Sequence, residues 1–372
     1  MVIVAGLMII TLVVLLLSMN YSKAMFFVDP YTYFAKALEI SKGFGWSFNP
    51  YILFISVVIK AYPYSDGLLL FTRTINLIFA AQLVIFTYLI ARKIFNQIFS
   101  VFTALSVLFL PLVHSYALQL HNDIFTAAMG LTAIFFITTP KLRNTLIAFP
   151  FVILACATRP DYSIIFSLPF GLIAARYYTR GMAFRSKLVA SLMVLALVLG
   201  VGYLIFEDYY RSTTRFGVLD RIFIFLNYDL IVTVWKNVIS ITNNYVLNTA
   251  YGVITCAGII LLITANYEKI LKVITLKDFR PNESETTAIF LTICFFISLF
   301  GVIVFHSTYT IVNDSVIINS KITLRYLIPV QLFLTFGFVF AISNYTWQNI
   351  MSIRYRIMRF STSRSPISGT SS

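Results

Sequence analysis

Long apolar runs, each ended by a short cluster of polar or charged residues, recur along the whole chain. Windows of roughly 17–22 apolar residues predict membrane-spanning helices over 2–20, 67–91, 98–115, 123–139, 145–158, 161–176, 188–206, 247–265, 286–305 and 324–342. Lipid offers no partner to backbone N–H and C=O groups, so the runs read as helices rather than open strands. The 145–158 and 161–176 pair is short. Thr158-Arg159-Pro160 between them predicts a tight hairpin that stops at, or tilts into, one membrane face. The fold class is therefore an all-α polytopic membrane protein of about ten transmembrane helices, with external juxtamembrane helices.

Composition supports lipid as the solvent. Hydrophobic residues make up 59% of the chain and charged residues 11%, and the mean hydropathy is +0.87. A soluble domain of this size needs more polar surface than that to cover its core. The first twenty residues lack a basic start and a small-residue cleavage pattern, so they read as a retained helix, not a removed signal. Cys156, Cys256 and Cys294 all fall in predicted spans and read as packing residues.

Charge then orients the chain. Arg92, Lys93, Lys141, Arg143, Arg176, Arg180, Arg185 and Lys187 lie in alternate loops, as do Lys269, Lys272, Lys277, Arg280, Arg354, Arg356, Arg359 and Arg364. With ten spans, all of these share one side, which the positive-inside rule makes the cytoplasm, with both termini there. The net charge of +14 is mostly this signal. Split among short loops, it does not make a nucleic-acid surface. Asp29, Glu39, Asp66, Asp123, Asp161, Glu207, Asp208, Asp220, Asp229 and Asp314 fall on or near the other, external side. Acids carry little orienting weight, so this bias reflects either longer external loops or an external site that uses carboxylates. The chain divides into a transmembrane domain, 1–345, and a basic, Ser-rich cytoplasmic tail, 346–372. Within the domain, 21–66 and 207–246 are external loops.

The 21–66 loop is too apolar to be a free connector. Asp29-Pro30 is a helix-starting signature for 31–42, and Gly43, Gly45, Asn49 and Pro50 then break the chain. The apolar run from Tyr51 to Ile59, ended by Lys60, is too short to span and fits a helix lying in the interface.

An apolar first helix, then an acid (Asp29) opening an external amphipathic helix, then a second interfacial helix, resembles the GT-C glycosyltransferases. Further segments fit the same pattern. Phe71-Thr-Arg73-Thr-Ile-Asn76, followed by an apolar run to Arg92, resembles the family's second span. Leu120-His121-Asn122-Asp123-Ile-Phe-Thr-Ala-Ala128 is similar to its second acidic motif. Cys156-Ala-Thr-Arg159-Pro160 resembles its basic-Pro turn, and Leu324-Arg325-Tyr326-Leu-Ile-Pro329 its late basic-Tyr-Leu-x-Pro element. The resemblance covers roughly residues 1–342 and is nearest to the polyprenyl-phosphate-sugar-dependent, protein-mannosyltransferase-like branch. The chain departs from that pattern in carrying a single acid in the first motif, and Arg where Lys is commoner in the turn.

The resemblance implies transfer of a sugar from a polyprenyl-phosphate donor to a protein, lipid or glycan acceptor at the external face, with inversion. Asp29 is the candidate base, since a carboxylate can take the acceptor's proton. Asp123 is the second catalytic candidate. Arg159, Arg325, Arg73 and Lys60 are candidates for binding the donor phosphate, whose leaving charge calls for cations. His121, Asn122 and Tyr326 are candidates for supporting the acceptor. Arg73 falls inside a span, where its charge requires a partner such as Asp29 or Asp66. No cofactor is required; a divalent cation at Asp123 and His121 would have a poor ligand set. The partners are the lipid-linked donor, membrane lipids and the acceptor, in a plasma membrane. The competing readings are a polytopic transporter or lipid flippase, and an inactive GT-C-like scaffold.

Overall fold

A computed structural model describes residues 2–21, 28–47, 49–62, 64, 66–139, 142–159, 170–171, 228–274, 282–306, 308–312, 315–319 and 327–344. The spans expected over 161–176 and 188–206 fall almost wholly outside these residues, as does the 346–372 tail. The helices are α1 (Val2–Tyr21), α2 (Val28–Ser41), α3 (Pro50–Ala61), α4 (Leu68–Ala91), α5 (Gln97–Leu108), α6 (Pro111–Ala117), α7 (Asn122–Ile137), α8 (Leu142–Thr158), α9 (Tyr228–Val238), α10 (Tyr245–Ile274) and α11 (Glu283–His306). A last helix, α12, covers Ile328–Asn344.

Three of these, α1, α4 and α10, are long and apolar enough to cross a membrane, and α5 with α6 makes a fourth if that bent pair is one span. The expected count of ten is not met among the described residues. Helix α7 illustrates the reason: its 16 residues rise roughly 24 Å, against a hydrocarbon core of about 30 Å. The single span expected over 98–115 is two helices bent by 61°. Pro111 causes the break: it opens α6 without an N–H to donate and holds Leu110 extended at φ −60°, ψ 127°.

The all-helical expectation has one exception. Strands β1 (Thr308–Val312) and β2 (Ser315–Asn319) pair antiparallel, with Thr308 opposite Asn319 and Val312 opposite Ser315. Both strands are rich in β-branched residues, which suit a pleated backbone; this stretch reads as a plain loop by hydropathy alone.

Two helices are present in the expected first loop as α2 and α3, packed on each other. Gly43 (φ 85°) and Gly45 (φ 83°) turn the chain between them in a backbone region that side chains disfavour. Helix α7 is the centre of the best-packed region, lying against α8 and α4, with α1 and α5 on the flanks of α4. Nearly every α7 side chain is buried, including Asn122 and Asp123. Farther along the chain, α10 and α12 approach closely: a Cβ on Gly258 would fall on the Gly337 carbonyl. Small residues that admit such contact are a common device for packing helices in lipid.

Candidate active site

The site is built where α7 begins and α8 ends. Leu118 to His121 lead from α6 into α7, and two residues one turn apart on α4 hold that segment. Arg73 donates from Nε (3.0 Å) and Nη2 (2.8 Å) to the Leu118 carbonyl. Asn76 donates from Nδ2 to the Gln119 carbonyl at 2.6 Å, with the Tyr116 and Ala117 carbonyls at 3.3 and 3.4 Å. The last carbonyls of a helix lack partners within it, so α4 supplies them. Tyr51 on α3 donates its hydroxyl to Asn76 Oδ1 at 3.4 Å. Burial, then the neighbouring Tyr33 and Asp123, push the Tyr51 phenol well above its ordinary pKa, so it stays a donor.

Asp123 sits in the first turn of α7 with no solvent exposure. Helix N-termini favour negative charge, and two side chains meet this carboxylate. Arg159, just past the end of α8, places Nη1 3.2 Å from Asp123 Oδ1. His121, the residue before α7, turns Nδ1 onto Asp123 Oδ2. Arg159 is only 6% exposed and His121 2%. A charge that deep is tolerated because it is paired. The His121 ring is also held edge-to-face by Tyr33 of α2 (5.9 Å) and Tyr116 of α6 (5.0 Å). An acid on Nδ1 sets the orientation of an imidazole.

The end of α8 is held by amides. Asn49 Nδ2 donates to the Thr158 carbonyl at 3.2 Å and Asn122 Nδ2 reaches the same oxygen at 3.5 Å. Among the described residues, the buried Asn122 Oδ1 has no hydrogen-bond partner.

The fold thus joins Asp123, His121, Asn122 and Arg159 in one cluster. Arg73 is half-buried beside it and donates from Nε and Nη2 to the Leu118 carbonyl. Lys60 is exposed in the last turn of α3. Asp29 lies in the first turn of α2, one turn before Tyr33, and its side chain is outside the described residues, as are Arg325 and Tyr326. Hydropathy and charge reading missed Asn49, Tyr51 and Asn76. Asn49-Pro50 carries a sequence signal for one of them, an N-cap followed by Pro at the first helical position. Among the described residues no group of three or more His, Cys, Asp or Glu side chains is placed to hold a metal ion.

No protein-family model, curated protein or solved structure matches this chain.

Proposed function

We propose that the chain is a membrane glycosyltransferase that moves a sugar from a polyprenyl-phosphate donor to a protein, lipid or glycan acceptor on the external face. The observation that carries this reading is the buried cluster of Asp123, His121 and Arg159. It lies against α2, the helix that opens with Asp29. In this reading Asp29 takes the acceptor's proton as the acceptor oxygen or nitrogen bonds to the anomeric carbon. The bond from that carbon to the phosphate oxygen breaks, and its electron pair stays on the phosphate. Arg159 and Arg325 receive the charge, since a guanidinium fork matches a phosphate. Asp123 serves by holding Arg159 and His121 in place, because a fully buried, doubly engaged carboxylate is badly placed to be the base.

The test is sugar transfer in membranes carrying the wild type or Asp29→Asn, supplied with radiolabelled polyprenyl-phosphate mannose, glucose and arabinose. Transfer by the wild type that falls about 10²–10⁴-fold in the variant supports the reading. Transfer from no donor by folded protein sinks it. One observation favours a second reading, a transporter: a broken helix, α5–α6, beside a buried ion pair is a feature of transport sites. Uptake or flipping of the same lipids without sugar transfer would favour it.

A further inference from the structure

The Asn49 side chain serves two helices at once. Its Oδ1 accepts from the Tyr51 and Ile52 backbone N–H groups at 3.0 and 3.4 Å, capping the start of α3. Those two donors fix the orientation of the amide, since turning it over would set an NH2 group against two N–H groups. Nδ2 therefore faces the other way, onto the Thr158 carbonyl, 109 positions away in sequence. Thr158 ends α8, so its carbonyl has no partner in its own helix. Arg159 follows at once, and its backbone N–H donates back to Ala155 at 3.0 Å. Whatever grips Thr158 thus sets the point from which the Arg159 side chain departs toward Asp123. A cap for α3 needs only Oδ1; the second bond is extra to capping. It joins the α2–α3 hairpin, which carries Asp29, to the turn that carries Arg159.

We infer that Asn49 is a positioning residue that acts through the Thr158 carbonyl and sets the Arg159 turn and the α2–α3 hairpin as one unit. The inference rests on the glycosyltransferase reading, with Arg159 as a phosphate-binding group. It separates the residue's two bonds, so one substitution can cut one of them. Asn49→Ser keeps a good cap, but the hydroxyl is too short to reach Thr158. Asn49→Ala loses both bonds.

The experiment measures transfer kinetics of full-length wild type, Asn49→Ser and Asn49→Ala in membranes, with the same three radiolabelled polyprenyl-phosphate sugars as probes. Thermal midpoints and backbone amide exchange at Arg159 are read alongside. The expected result for Asn49→Ser is a near-native midpoint, faster exchange at Arg159 and a donor KM raised roughly tenfold. Asn49→Ala adds a lower midpoint. An unchanged donor KM in Asn49→Ser, with active wild type, overturns this inference alone. So does a loss of activity that merely follows the midpoint across both variants. Wild type inactive with every donor overturns the glycosyltransferase reading, and the inference falls with it.

Discussion

The two ends of α7 each hold a buried charge, and they are built differently. At its start, Asp123 meets Arg159 and His121. At its finish, Lys93 from the turn after α4 donates to the Phe135 carbonyl (2.6 Å), Thr138 Oγ1 (2.9 Å) and Thr139 Oγ1 (2.8 Å). Lys93 also pairs with Glu283 of α11 at 2.8 Å and lies over the Phe135 ring at 4.4 Å. Both arrangements obey the helix dipole, acid at the N-terminus and base at the C-terminus. The Lys93 end is a saturated clamp. An ammonium has three N–H donors and here finds at least four oxygens, while Glu283 stays 45% exposed. The Asp123 end is drier, and among the described residues its Asn122 acceptor has no partner. It meets its carboxylate with an imidazole and a guanidinium, where the other end uses an ammonium. The same helix thus carries a structural joint at one end and the candidate for chemistry at the other.

The largest expected effect breaks the pair at the Asp123 end. Asp123→Asn leaves the Arg159 charge buried without its carboxylate, at a cost of about 3–5 kcal/mol. Equilibrium unfolding in detergent reads that loss. The double variant Asp123→Leu with Arg159→Met removes both charges and regains most of the stability, because apolar residues of similar volume usually replace a buried pair well. Transfer stays absent in the double variant. If it returns with stability, the Asp123 end is a clamp like its counterpart and the contrast collapses.

Composition and hydropathy reached the long helices, because α1, α4 and α10 are continuous apolar runs and lipid permits few other structures. They did not reach the break at Pro111, where a local backbone constraint interrupts an unbroken apolar pattern. The resemblance placed Asp123 and Arg159 among the site candidates, but their pairing joins α7 to the residue that follows α8. A contact of that kind is set by packing and leaves no periodic trace in the chain. Asn49 reads as a chain breaker for the same reason: its second bond reaches across 109 positions. Lys93 is the most instructive case. Counted with the other loop cations it is an orienting charge, yet it is largely buried and bonded to α7, to the turn after it and to α11. Counting charge cannot separate a headgroup contact from a clamp.

A middle-sized effect tests the clamp. Lys93→Met keeps an apolar stem but loses the hydrogen bonds and the pair with Glu283, costing about 1–3 kcal/mol with transfer rates unchanged. The pH dependence has a definite sign. Burial, opposed by the bond to Glu283, pulls the Lys93 pKa below the ordinary lysine value. Between the folded value and the ordinary one, the unfolded chain holds a proton that the folded chain has released, so stability rises with pH across that alkaline window. Unfolding of Lys93→Met over the same range lacks that increment. A variant as pH-dependent as the wild type would remove Lys93 as its source.

The smallest effect lies beside the clamp, at the start of α11. Asn282 Oδ1 accepts from the Glu285 N–H at 2.8 Å, and Glu285 Oε2 accepts from the Asn282 N–H at 3.1 Å, a reciprocal capping box. Glu285 Oε1 also accepts from Lys269 of α10 at 2.6 Å. That bond to Lys269, with the Asn282 N–H adding to it and slight burial opposing, holds the Glu285 carboxyl below its ordinary pKa. Its contribution is therefore complete above the ordinary carboxylate value and is lost as pH falls through the depressed one. Glu285→Gln keeps an acceptor for the cap and removes only the charge. It should cost about 0.2–1 kcal/mol at neutral pH, the range for a surface pair, and nothing once the wild-type carboxyl is protonated. Asn282→Ala, which breaks the cap itself, should cost about 1 kcal/mol at every pH. Neither should alter sugar transfer. If Glu285→Gln slows transfer while the fold keeps its stability, the Lys93 end takes part in the reaction cycle, and the division of α7 into a joint and a site is wrong.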